Sequence, residues 1–73
     1  MKVVVGKRTY QMGQKEYKGL LEIASEQVPF GIYAIEKSNY AELRHDKCTS
    51  TTQLKAMIRQ FKVAGYKVHY NGR

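Results

Sequence analysis

An α+β domain is what the sequence predicts, with elements in the order ββαββαβ and an antiparallel or mixed sheet carrying both helices on one face. Three observations lead there. Two stretches place apolar residues at helical spacing, first Tyr17, Leu20, Leu21 and Ala24, then Leu54, Met57, Ile58 and Phe61. Before, between and after them lie short runs rich in β-branched residues and tyrosine, punctuated by Gly6, Gly13, Pro29, Ser38-Asn39 and Gly65. The chain has 73 residues, room for one domain over 1–73 with a thin core.

Lys2 to Met12 reads as two strands about Gly6-Lys7, because glycine at the first central position suits a type II′ hairpin turn. Gly13 breaks the second strand. Gln14 to Gln27 then reads as a helix with Tyr17, Leu20, Leu21, Ala24 and Val28 on one face, and Pro29 stops it. Glu22 and Glu26 lie opposite, with Lys15 and Lys18 nearby, and Gly19 is read as a close packing contact.

Phe30 to Lys37 and Tyr40 to Asp46 read as a second hairpin around Ser38-Asn39, with asparagine the residue that tolerates the left-handed turn conformation. Strict alternation puts Tyr33 and Ile35 on one face of the first strand and Ile32 and Ala34 on the other. Ile32, Ala34, Ala41 and Leu43 are then expected under the helices, leaving Tyr33, Tyr40 and Arg44 on an open side.

The second helix is expected to start near Ser50. Ser50 with Gln53 matches a capping box, Thr49 is a competing cap, and Gly65 suits the position just past the end. Tyr66 to Tyr70 reads as the last strand, alternating Lys67 and His69 against Val68 and Tyr70, with Asn71, Gly72 and Arg73 expected to fray.

Charge separates the two halves. Residues 1–46 carry seven basic and six acidic side chains, whereas residues 47–73 carry six basic and no acidic ones, so nearly all of the net +7 sits on the second helix and last strand. Basic faces keep small proteins soluble, but 27 residues without an acid point to an anionic partner. The single cysteine forbids an internal disulfide, and no apolar run approaches the ~20 residues of a membrane span. With no signal-peptide core at the N-terminus, a soluble cytoplasmic protein without a membrane partner is expected. A homodimer would add the buried area that so short a chain lacks.

Three groups of residues are candidates for binding. Lys55, Arg59 and Lys62 fall at i, i+4, i+7 and form a basic stripe, joined by Lys67, which suits phosphate contacts as well as it suits a solvated helix face. Thr49, Ser50, Thr51 and Thr52 open the same helix beside Lys47, where free N–H groups and hydroxyls favour an anion, although such residues also cap helices. Tyr33, Tyr40 and Tyr70, three of six tyrosines, are candidates for stacking bases. The aromatic strand motif of RNA-recognition domains and the loop of KH domains are both missing.

No catalytic residues, metal site or cofactor are expected. Cys48 precedes a helix start but has no clear base, and one cysteine with two histidines offers no zinc spacing. The leading expectation is therefore a small, non-enzymatic module that binds nucleic acid (DNA or RNA) through the second helix and last strand. One alternative is sequestration of a phosphorylated nucleotide ligand at the second-helix N-terminus. Another is an inhibitor or adaptor, of the kind phages and mobile elements encode, docking on an acidic host protein.

Overall fold

In the computed structural model, which describes residues 1–72, the order is β1 (Lys2–Val5), β2 (Arg8–Gln11), α1 (Gln14–Gln27), β3 (Gly31–Lys37), β4 (Tyr40–Lys47), α2 (Thr51–Val63) and β5 (Lys67–Asn71). Arg73 lies outside the described residues. The α+β class and the ββαββαβ order are those read from the sequence. All five strands join one mixed sheet in the order β2-β1-β4-β3-β5, with β1 parallel to β4 and the other neighbours antiparallel.

Local chemistry explains the turns. Gly6 takes φ +63° while Lys7 stays at negative φ, as a type II′ turn requires, and Val5 pairs with Arg8 across it. In the second hairpin Lys37 pairs with Tyr40, and the positive φ falls on Ser38 (55°) rather than on Asn39. The same turn geometry accounts for this correction, since its left-handed residue is the first of the central pair. Helix α2 ends in a Schellman motif: Tyr66 N–H bonds Phe61 O at 3.0 Å, Gly65 N–H bonds Lys62 O at 3.0 Å, and Gly65 sits at φ +93°. Lys37 Nζ donates to Ala64 O at 3.1 Å, satisfying one more terminal carbonyl.

The helices do not share a face of the sheet. Tyr17 on α1 packs with Val3 and Ala41, with Leu21 and Leu43 at the margin, whereas Leu54 on α2 packs with Ile32, Ile35 and Cys48 among Met57, Ile58 and Phe61. Ile35 faces α2, and its neighbour Glu36 meets Tyr17 of α1, so the two helices lie on opposite sides. Topology gives the reason. The crossovers β2-α1-β3 and β4-α2-β5 both move toward the β5 edge, but β2 and β4 run in opposite directions. Right-handed crossovers then require opposite faces. The result is a three-layer arrangement with a small core on each side, and the expected open side does not exist as such.

A bulge corrects the expected register of β3. Ile32 pairs with Tyr70 and Ala34 with the adjacent His69, so Tyr33 is an extra residue against β5. Ile32 and Ile35 therefore share the α2 face, 0% and 2% exposed, although three residues apart. Ala34 and Tyr33 turn to the α1 face, whereas Arg44 lies over the α2 ring of Phe61 at 5.0 Å. The expectation that Asn71 frays is also corrected. Its side-chain amide donates to Ser25 Oγ at 2.8 Å and to Val28 O at 3.0 Å, pinning the end of β5 to the end of α1.

Candidate nucleic-acid interface

Helix α2 is built to hold its flank steady. Ser50 Oγ accepts from Gln53 N at 3.1 Å, and Gln53 Oε1 accepts from Thr49 N at 2.9 Å and from Thr49 Oγ1 at 3.1 Å. This is the expected capping box, with its return bond shifted one residue outward. Burial of Leu54, Met57, Ile58 and Phe61 against the sheet then fixes the helix rotation. The consequence is positional: Lys55, Arg59 and Lys62 stand exposed along one side, over about 10 Å of helix.

That side faces the edge strand β5. Lys55, Ile58, Arg59, Lys62, Val63 and Tyr70 line a groove of about 480 Å³ between helix and strand. Tyr70 is 46% exposed and Val63 84% exposed, so the groove offers both charge and apolar surface. Among the described residues none of the three cations takes part in an ion pair. Lys62 also has a bland role, since a cation in the last turn complements the helix dipole.

Arg44 shows what a committed cation looks like here. Its guanidinium bonds Glu42 at 2.8 Å and also Asp46, while stacking over Phe61. The Asp46 hydrogen bond, against some opposing desolvation, holds it above its already high ordinary pKa. Arg44 is a structural pin.

The other sequence candidates scatter. Tyr40 donates its hydroxyl to Glu42 Oε1 at 3.0 Å and is half-buried, and that bond raises its pKa. Tyr33 is half-buried at the bulge, 6.1 Å from the His69 ring. Of the three tyrosines only Tyr70 combines exposure with neighbouring free cations. Lys67 lies on the far side of the sheet from the α2 stripe, because it pairs with Glu36, whose carboxylate meets α1. Lys47, Thr49, Ser50 and Thr51 are exposed at the start of α2, with the Thr49 and Ser50 hydroxyls engaged in the capping bonds. Cys48 is buried under α2, its Sγ 3.6 Å from Met57 Sδ. Among the described residues no three His, Cys, Asp or Glu side chains cluster as a metal site, and no helix is long and apolar enough to cross a membrane.

One polar network escaped the sequence reading. Tyr17, 3% exposed, donates its hydroxyl to Glu36 Oε2 at 2.9 Å, and His69 Nε2 bonds the same oxygen. Burial alone would raise the Glu36 carboxyl, but hydrogen bonds from Tyr17 and His69, with the charges of His69 and Lys67, hold it below its ordinary value. Burial first, and the Glu36 bond second, push the Tyr17 hydroxyl well above the usual phenol range. The available sequence signal was an acid next to the end of a largely apolar strand, GIYAIEK.

The lowered carboxyl of Glu36 stabilises the fold above the ordinary carboxylate range, and this contribution is lost as pH falls through its folded value. The raised Tyr17 contribution holds below the ordinary phenol value, about 10, and is lost at higher pH. Glu36→Gln is expected to cost about 1–2 kcal/mol near neutrality and to flatten the acid limb of a melting-temperature profile. Parallel acid limbs for the two proteins would show that the stability lost on acidification lies elsewhere.

No protein-family model, curated protein or solved structure matched the chain. The class that fold and site define is a small basic α+β domain with a cation-lined groove at one sheet edge.

Proposed function

We propose that this domain binds nucleic acid in the α2–β5 groove, with single strands preferred. The observation that carries the reading is three exposed cations, in no ion pair among the described residues, along a groove whose lining includes an exposed tyrosine. Lys55, Arg59 and Lys62 contact successive phosphates, and the face of Tyr70 stacks a base. A phosphate backbone needs only positive charge, whereas an exposed aromatic ring beside those cations adds a stacking surface for a base free of its partner. Nothing in the lining offers a fixed pattern of donors and acceptors for reading base edges, so sequence preference is weak. The helix start gives less support to a bound nucleotide, because the Thr49 hydroxyl and amide already donate to Gln53 Oε1 and the Gln53 amide to Ser50 Oγ.

Fluorescence anisotropy with labelled single strands and a duplex of the same sequence tests this. Single strands are expected to bind more tightly. Tyr70→Ala is expected to weaken them by about 1–3 kcal/mol, roughly 5- to 150-fold, with the salt dependence unchanged. Equal affinity for strand and duplex, with no effect of Tyr70→Ala, would remove the base from the account.

A further inference from the structure

The groove ends at β5, and β5 is the last strand of the sheet. Its side chains alternate between two faces, with Val68 and Tyr70 toward α2 and Lys67, His69 and Asn71 toward α1. On the α1 side, Lys67 joins Lys15 and Lys18 of α1 around a second pocket of about 460 Å³. All three lysines are exposed, and among the described residues none has an ion pair.

The pocket does contain one carboxylate, Glu36, which is occupied by Tyr17 and His69. Three ammonium groups therefore surround a single compensated acid. Of the other acids of α1, Glu16 is exposed beside Lys15 in the first turn but does not line this pocket, and Glu22 and Glu26 line a separate pocket towards the C-terminal end together with Ser25 and Tyr33.

We infer that the nucleic-acid track continues round the β5 edge, and that Lys67, Lys15 and Lys18 hold phosphates of the same single strand on the opposite face. This rests on the proposed function and extends its footprint from three cations to six. A sheet is one backbone thick at its edge, so a flexible single strand can turn from one flank to the other. A duplex, stiff over about 150 base pairs, cannot make that turn and is held on one flank. The arrangement gives a physical reason for single-strand preference independent of Tyr70. It also explains how Lys67 serves the binding surface while lying across the sheet from the helix stripe.

The salt dependence of binding counts the phosphates engaged. For single strands the slope of log K against log salt is about −0.7 per neutralised phosphate, so the groove alone gives about −2 and the full track about −4. Oligonucleotides of about 4 and about 16 nucleotides, the range of single-strand sites, separate the two footprints. The short one is expected to show the smaller slope and the long one the larger.

Lys15→Gln with Lys18→Gln is expected to reduce the long oligonucleotide's slope by about 1.5 and to leave the short one unchanged. Lys67→Gln serves as an independent third change on a different element, and unchanged thermal melts certify the fold of each variant. A long oligonucleotide whose slope ignores these substitutions overturns the extension but leaves the groove intact. Failure of the wild type to bind either length overturns the proposed function and the extension together.

Discussion

Lys55→Glu with Arg59→Glu is expected to weaken binding of a single-stranded oligonucleotide by about two orders of magnitude or more at low salt. Two phosphate contacts become two repulsions, and each lost contact also removes a released counterion from the driving force. The fold should survive, because both side chains are exposed and outside every ion pair among the described residues. A control separates local from global electrostatics. Lys7→Glu with Arg8→Glu makes the same change in net charge at the β1–β2 turn, on the opposite edge of the sheet. Compared at 0.1 M salt, it should cost far less than the stripe variant, since exposed charges beyond a Debye length of about 10 Å are then largely screened. Equal losses in the two variants would mean that net charge alone drives binding, and retained affinity in the first would remove the stripe from the interface.

Gly31→Ala is expected to have the largest effect on folding. Gly31 sits at φ +146°, a conformation that essentially only glycine adopts, between Lys47 of β4 and Asn71 of β5. A Cβ there would lie 2.1 Å from Asp46 O, a backbone atom that cannot swing aside. Strain and overpacking together should cost about 3–5 kcal/mol. The whole domain holds only roughly 4–11 kcal/mol, so much of its stability would go. The expected drop in melting temperature is about 15–30 °C. The same substitution at Gly19 should act oppositely. Gly19 lies in the middle of α1, where a Cβ would meet nothing within 4 Å among the described residues, so Gly19→Ala should gain about 0.5–1 kcal/mol. A Gly31→Ala protein melting within about 5 °C of the wild type would show that the strands move apart at little cost.

Gly19 also marks where sequence reasoning stops. An interior helical glycine suggests a close neighbour, but whether one is present depends on which helix face meets the sheet. Elements governed by local chemistry were legible: the Gly6-Lys7 turn, the Ser50–Gln53 cap, the Gly65 stop and the apolar faces of both helices. What could not be read follows from strand order. Placing β1 between β2 and β4 makes the two crossovers start from oppositely directed strands, and this sends the helices to opposite faces. Nothing in the local sequence encodes that arrangement. The Tyr33 bulge is likewise set by two flanking strands, and it reversed the faces of Ile35 and Ala34 relative to simple alternation.

For the candidate site the same division holds. Helical spacing alone brought Lys55, Arg59 and Lys62 together, and the exposure of Tyr70 followed from alternation in a short last strand. Lys67 lies in that strand too, but on the opposite face. Its proximity to Lys15 and Lys18 arises from contacts about 50 residues apart in sequence, as does the bond between His69 and Glu36 at a separation of 33.

The most direct test of the groove is an amide chemical-shift map of the uniformly ¹⁵N-labelled protein, titrated with a short single-stranded oligonucleotide at low salt. At 8.4 kDa the domain suits the measurement. Saturable shifts concentrated on Lys55, Ile58, Arg59, Lys62, Val63 and Tyr70 are the result the groove requires. Shifts concentrated at the β1–β2 edge, or none at all, would contradict it.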